Sequence, residues 1–286
     1  APLPLKVENG RIYCPGVGDD TANAVALLTV AGYIAEHHLA PKDCGVLLVI
    51  NSGEEGLGNL KGSKQIMADF GRRVKEFVTF DGNATAIVNK AVGSRRFRVT
   101  VTTEGGHSYG RFGAPNAIAQ LSGLIAKLYE IKVPPIGKTT YNVGTISGGT
   151  SVNTIAQKAE MLFEFRSDER EGLAIMQSAF DRIVEEFRQS GVEIEVEVVG
   201  DRPCGVPVDS AALCARAADA VRAHYGFDVT FGPGSTDCNV PLSMGISAIC
   251  PGCVLGSGAH TREEYVQIDS LLPGLKVASQ LILHHF

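Results

Sequence analysis

Four positions in this 286-residue chain carry side chains suited to holding a divalent cation and moving protons: Asp19, the adjacent pair Glu54 and Glu55, Asp81, and His260. Each has glycine close by, in Gly16-Val-Gly-Asp-Asp20, Gly53-Glu-Glu-Gly-Leu-Gly58, Asp81-Gly82 and Gly256-Ser-Gly-Ala-His260. Glycine permits tight turns that aim short side chains into a shared cleft. Carboxylates together with an imidazole form a hard-to-borderline donor set that suits zinc, manganese or cobalt. Taken singly, each acid reads as a solvated turn residue or a helix cap; their joint arrangement favours a metal site. Glu54 and Glu55 could also open a helix, where carboxylates complement the dipole. Glycine on both flanks and an apolar run just before them favour chemistry instead.

Definite elements must position these residues. Ala22 to His38 places Ala24, Leu27, Leu28, Val30, Ala31 and Ile34 on one broad apolar face and predicts a helix, with Asp20 or Thr21 as its cap. Gly45 to Ile50 is a continuous apolar run, as expected of a strand buried on both faces of a sheet. A helix from about Leu60 to Phe70 and a strand from Glu76 to Phe80 follow. Alternating strands and helices with short connections predict an α/β sheet whose chemistry sits at the carboxyl ends of its strands.

From Val92 the texture changes, and Arg96 to Thr103 alternates apolar with polar residues as a half-exposed antiparallel strand does. A helix (115–129), two strands (140–146 and 158–165), a helix (172–189) and a strand (193–199) come next. That β-α-β-β-α-β order is ferredoxin-like. Helices over 210–224 and 272–284 complete the chain. The organisation expected is therefore a mixed α/β domain over 1–91 and 203–286, interrupted by a ferredoxin-like domain over 92–202.

Composition narrows the partners. A net charge of −5 and a pI near 5.8 give no electrostatic footprint for nucleic acid or an anionic membrane, so small substrates are expected. No apolar run reaches the roughly 18 residues of a membrane span, and Ala1-Pro-Leu-Pro4 lacks the charged and apolar regions of an export signal. Seven cysteines, an odd number spread along a long chain, argue against a disulfide framework and for a reducing cytoplasm. Cys250-Pro-Gly-Cys253 could be a redox or metal pair, but buried thiols beside a turn account for it better.

Taken in order, Gly16-x-Gly-Asp-Asp, Gly53-Glu-Glu-Gly-x-Gly, Asp81-Gly, Gly105-Gly-His-Ser108 and Gly-Ala-His260 resemble the co-catalytic dinuclear zinc peptidase family. That family includes carboxypeptidase G, peptidase T, aminoacylase and succinyl-diaminopimelate desuccinylase, and the resemblance spans essentially the whole chain. Thr145-Ile-Ser-Gly-Gly-Thr150 and the segment from His260 to Glu264 look most similar to the peptidase T-like branch. The resemblance implies a mixed-sheet catalytic domain interrupted by a ferredoxin-like dimerisation domain. It also implies two divalent metal ions, zinc or alternatively cobalt or manganese. Asp19 would bridge them, Glu55 and His260 would complete one set of ligands, Asp81 would bind the other ion, and Glu54 would be the general base. His107 would reach a partner subunit's site and stabilise the oxyanion. Asn153 and Arg166 resemble substrate contacts, Arg166 as a fork for a carboxylate. A capped turn for His107, and for Arg166 a surface ion pair with one of the nearby acids such as Asp168 or Glu169, are the plainer readings. Asp237, in Gly234-Ser-Thr-Asp-Cys-Asn239, matches a further family motif and would be a helix cap or a group behind the ligands.

One departure matters. The family's His-x-Asp motif, expected upstream of Gly16, is not found in this sequence, and His37 and His38 fall after the Asp-Asp motif. The expectation is that a segment of at least one βαβ unit is missing, and that these residues alone are inactive or hold one metal well. The implied activity is hydrolysis of peptide bonds in short peptides, as by an aminopeptidase or tripeptidase. The alternatives are an N-acyl amino acid deacylase or carboxypeptidase of the same family, or a non-catalytic dimeric scaffold if the protein begins at Ala1. A nucleotide-dependent oxidoreductase is excluded, because two acids stand in Gly53–Gly58 where a pyrophosphate would sit.

Overall fold

The computed structural model describes residues 5–286, so the opening Ala1–Pro4 lies outside the described residues. In chain order the first elements are β1 (Lys6–Glu8), β2 (Arg11–Tyr13), α1 (Asn23–Glu36), α2 (Lys61–Phe70), β3 (Glu76–Val78) and β4 (Ala86–Ala91). Next come β5 (Gly93–Thr102), β6 (Gly106–His107), α3 (Ala117–Leu128), β7 (Thr139–Gly148), β8 (Thr154–Ile155), β9 (Lys158–Ser167), α4 (Arg170–Gln189) and β10 (Glu193–Arg202). The chain then runs through α5 (Ala211–Tyr225), β11 (Thr230–Gly234), α6 (Asn239–Ser243), β12 (Ser247–Pro251), β13 (Gly256–Ser257), β14 (Tyr265–Gln267) and α7 (Leu271–Leu283). Two compact units result: one joins the chain up to Glu54, Leu60–Ala91 and Val206–Phe286, and the other joins Val92–Gly205 with the stretch Glu55–Asn59.

The first unit holds two four-stranded sheets. In the order β11-β4-β12-β3, β11 runs parallel to β4 and β12 parallel to β3, while β12 and β4 are antiparallel. The other sheet has the order β1-β2-β14-β13 and is antiparallel. Apolar faces of α1, α5 and α7 close over the mixed sheet: Ala26, Val30, Leu213, Ala217, Val221, Val277 and Leu281 pack with Phe80, Ile87 and Ile249. Removing that apolar surface from water, at about 25 cal/mol per Å², is what holds the three helices to the strands.

The second unit is an antiparallel sheet in the order β10-β5-β9-β7, with α3 and α4 packed against it. Strand β9 shows why: Ala159, Met161, Phe163 and Phe165 are buried in strict alternation with half-buried polar and apolar residues. Phe163 and Phe97 both stack on Phe180 of α4, with ring centroids 5.5 and 4.4 Å apart. Asn116 caps α3, its side-chain oxygen accepting the N–H groups of Ile118 and Ala119 at 2.9 and 3.3 Å.

Two expectations fail. The Gly45–Ile50 run forms no strand, and Leu47 and Ile50 are 54% and 56% exposed. Apolar composition supplies a strand's surface, but a strand exists only where a neighbour's N–H and C=O groups complete the ladder, and none among the described residues pairs with this run. Nor do Asp20 or Thr21 cap α1: the residue before it is Ala22, without a side-chain cap bond, because the Asp20 carboxylate is engaged by Asn23.

Candidate metal centre

Asp19 lies in a helical turn, Val17–Ala22, that leads into α1 and leaves helical geometry at Asp19 and Asp20; the peptide bond joining those two is cis. His260 lies between β13 and β14 with φ at 67°, in the left-handed region that few residues other than glycine adopt. Such geometry persists only where surrounding contacts hold it, and it gathers at working sites. The two side chains meet: His260 Nε2 is 2.7 Å from Asp19 Oδ2. Glu55 completes a trio whose donor atoms all lie within 4.8 Å of one another. Although Glu55 opens the stretch grouped with the second unit, its peptide bond to Glu54 tethers it to the first.

This trio fits a divalent cation by its donor chemistry, two carboxylates and one imidazole converging on one point. Glu54 is half-buried beside it in sequence, just before the short turn Gly56–Gly58. Asp81 stands outside the trio, half-buried at the end of β3, where its N–H donates to the Pro251 carbonyl at 3.2 Å. Its negative charge is nonetheless felt at Asp20. The Asp20 residue is open to solvent, yet its carboxyl is crowded by protein. That desolvation first, and then the charges of Asp81, Asp19 and Asp237, push it up to about 8 against the opposing hydrogen bond from Asn23.

Sequence reasoning misses two of the groups that shape this site, Asn23 and Glu264, and offers a third, Asp237, as a helix cap or a group behind the ligands. Asn23, fully buried on α1, donates to Asp20 Oδ1 at 2.7 Å and to the carbonyls of Gly18 and Gly82 at 3.3 and 3.4 Å. It also accepts the Cys253 N–H at 2.7 Å, so one amide ties the Asp19 turn, the Asp81 turn and the strand end after β12. Glu264 is buried as well and receives backbone N–H groups of the Asp19 turn. Asp237 is buried just before α6, with Asn51 donating to its Oδ2 at 2.8 Å and Ser63 to its carbonyl at 2.8 Å. A polar residue three places after Asp20 and five after Gly18 is the only signal that could have marked Asn23, and such residues abound. Cys250 and Cys253 are buried thiols raised by desolvation and lie outside the trio.

In the second unit, β6 pairs with β8, setting His107 opposite Thr154, and the Ser108 N–H donates to the Asn153 carbonyl at 3.0 Å. His107 and Asn153 therefore sit side by side, both exposed. Arg166 does form an ion pair with a nearby acid, with Glu164 as the partner in place of Asp168 or Glu169. It forks onto Glu164, Nε to Oε1 at 2.9 Å and Nη2 to Oε2 at 3.1 Å, because residues two apart on β9 share a face. Arg96 shares the same carboxylate at 3.2 Å, giving the triad one net positive charge. Burial alone would raise the Glu164 carboxyl; Arg166 and Arg96 outweigh it and hold it below its ordinary value.

Comparison with known proteins agrees with this arrangement of elements. Acetylornithine deacetylase of Myxococcus xanthus is 26% identical over 305 residues, covering 99% of this chain and 74% of the relative. A tripeptidase from Staphylococcus aureus superposes with a TM-score of 0.76 at 21% identity, covering 98% of this chain and 75% of that one. The aminopeptidase PepT of Bacillus cereus superposes with a TM-score of 0.69 at 22% identity over the same shares. At these identities the two structures establish the fold alone. The chain spans about two thirds to three quarters of the length of the curated relatives that it matches nearly end to end. The model of peptidase family M20/M25/M40 matches residues 1–284, and the chain belongs to that family.

Proposed function

We propose that this chain carries the machinery of a metal-dependent hydrolase that cleaves peptide bonds in short peptides. The observation that carries the reading is the convergence of Asp19, Glu55 and His260 within 4.8 Å, with Glu54 next in the chain. A divalent ion held by that trio, zinc or alternatively cobalt or manganese, supplies Lewis acidity toward the scissile carbonyl and acidifies water. Asp19 and Asp81 are proposed as ligands of a second ion. Glu54 takes a proton from the attacking water and passes it to the leaving nitrogen. His107 donates an N–H to the oxyanion, in the site of a partner subunit, and the adjacent Asn153 helps to hold the substrate. Arg166 and Arg96 give the insert a positive face for a substrate carboxylate, once Glu164 shares them. Seven cysteines, all present as thiols, suit a reducing cytoplasm. Among the described residues no helix is long and apolar enough to cross a membrane.

Deacylation of an N-acyl amino acid is the second reading, favoured by the 26% identity to a deacetylase, and it uses the same residues. Elemental analysis of the purified protein, with hydrolysis of a panel of short peptides and N-acyl amino acids, separates these readings. Glu54→Ala is expected to keep its metal and lose turnover by about 10²- to 10⁴-fold, while His260→Ala loses metal. Cleavage of acyl amino acids alone selects the deacylase. Metal held without turnover is what these residues alone are expected to show; absence of metal and of turnover even in the full-length protein rejects both readings in favour of a dimeric scaffold.

A further inference from the structure

Glu264 stands four residues after His260 and is only 3% exposed. Its carboxylate faces the turn that carries Asp19: the Gly16 N–H donates to Oε2 at 2.7 Å, and the N–H groups of Gly18 and Asp19 both donate to Oε1 at 2.8 Å. Its backbone carbonyl accepts the Cys14 N–H at 3.1 Å, just ahead of the same turn. A carboxylate is buried only where charged-group hydrogen bonds replace its water, and three amides do so here. The fit is tight. A methyl group at Gly18 would lie 3.3 Å from Glu264 Oε1 and 3.2 Å from Val266 Cγ1. One short stretch of chain therefore both supplies His260 and grips the turn presenting Asp19, and the two side chains end 2.7 Å apart.

We propose that Glu264 is a positioning residue for the metal centre: its carboxylate fixes the separation of Asp19 and His260 and so sets the affinity for the ion, without being a ligand. This rests on the metallopeptidase reading. Both oxygens of Glu264 are engaged by amides, which leaves the ligand role to the trio. Groups that orient ligands in this way are worth about 10- to 100-fold in metal affinity. A glutamine retains the shape but turns an NH₂ toward at least one of the three N–H donors, so part of the grip becomes repulsive.

The test is titration of wild-type, Glu264→Gln, Asp19→Asn and the double variant with Zn²⁺ against a competing chelator, and with Co²⁺ followed by its visible absorption. Thermal melts of the metal-free proteins are run alongside. The expected result is a loss of about 10- to 100-fold for Glu264→Gln, an altered Co²⁺ spectrum, and no further loss when Glu264→Gln is added to Asp19→Asn. Gly18→Ala, which presses on the same carboxylate from the turn side, is expected to weaken binding too and serves if Glu264→Gln does not fold. Wild-type affinity in Glu264→Gln, or a loss that simply adds to that of Asp19→Asn, overturns the inference alone. Wild-type protein that binds neither ion overturns the metallopeptidase reading and the inference with it.

Discussion

At the scale of single residues, the site is built from side chains that would repel one another without a cation. Asp19 and Glu55 approach each other with His260 exposed beside them, and the charge of Asp81 is close enough to be felt at Asp20. Two carboxylates converging on one point repel each other, and the arrangement becomes favourable when a divalent ion neutralises them. Replacing His260 by alanine should therefore lower metal affinity while leaving the metal-free protein's melting temperature little changed, as its side chain is 68% exposed. A second residue-scale prediction concerns acid. The Glu164 carboxyl is held below its ordinary value by Arg166 and Arg96, so the triad's stabilisation is fully present above the ordinary carboxylate pKa and is lost as pH falls through the lowered one. Glu164→Gln should flatten the acid limb of a plot of melting temperature against pH.

Among the elements, β9 and β7 carry the clearest consequences. The aromatic side chains of β9 fill the second unit's core, and Phe163 is 1% exposed between Phe165 and Phe180. Phe163→Ala removes a ring from a packed interior and should cost about 3–5 kcal/mol, read from denaturant unfolding. Strand β7 ends its sheet, bonded to β9 on one side only. It is ten residues long and mostly exposed, Ile146 among its open apolar side chains. Long, uncharged edges of this kind pair with another chain unless something blocks them. If a second copy docks here, as the proposed role of His107 requires, Ile146→Asp should shift sedimentation from dimer to monomer. A monomeric wild type with full activity would remove both the dimer and that role for His107.

For the molecule as a whole, the ligands come from remote parts of the sequence. Asp19 and His260 are 241 residues apart, and their meeting depends on β14 pairing with β2 and on α7 packing against α1 and α5. A metal that binds only this folded arrangement stabilises it by mass action, by about 2.7 kcal/mol when the free ion is 100-fold above its dissociation constant. Zinc added to metal-free protein should raise the melting temperature, and a chelator should reverse the rise. Wild-type protein that melts at one temperature with and without the ion would show that the trio does not hold it.

What the sequence determined by itself was the periodic part. The alternation in β5, the spans of α1, α4 and α7, and the βαββαβ order of the insert are local patterns with a fixed period, and each forms close to where the spacing puts it, although Leu28 of the expected α1 face is 56% exposed. The glycine-flanked acids and His260 were legible for a related reason, since residue type and turn chemistry are written in a few adjacent positions. Tertiary structure alone decided the rest. Gly45–Ile50 has a strand's composition but no ladder partner among the described residues, because pairing belongs to two segments and composition to one. Asn23 and Glu264 look like ordinary polar residues in the sequence, and only burial against distant backbone N–H and C=O groups turns them into the supports of the site. Arg166 pairs with Glu164 and not with Asp168, equally two residues away, because β9 ends at Ser167 and Asp168 beyond it accepts the Lys138 N–H at 2.7 Å; where a strand stops is decided by its neighbours.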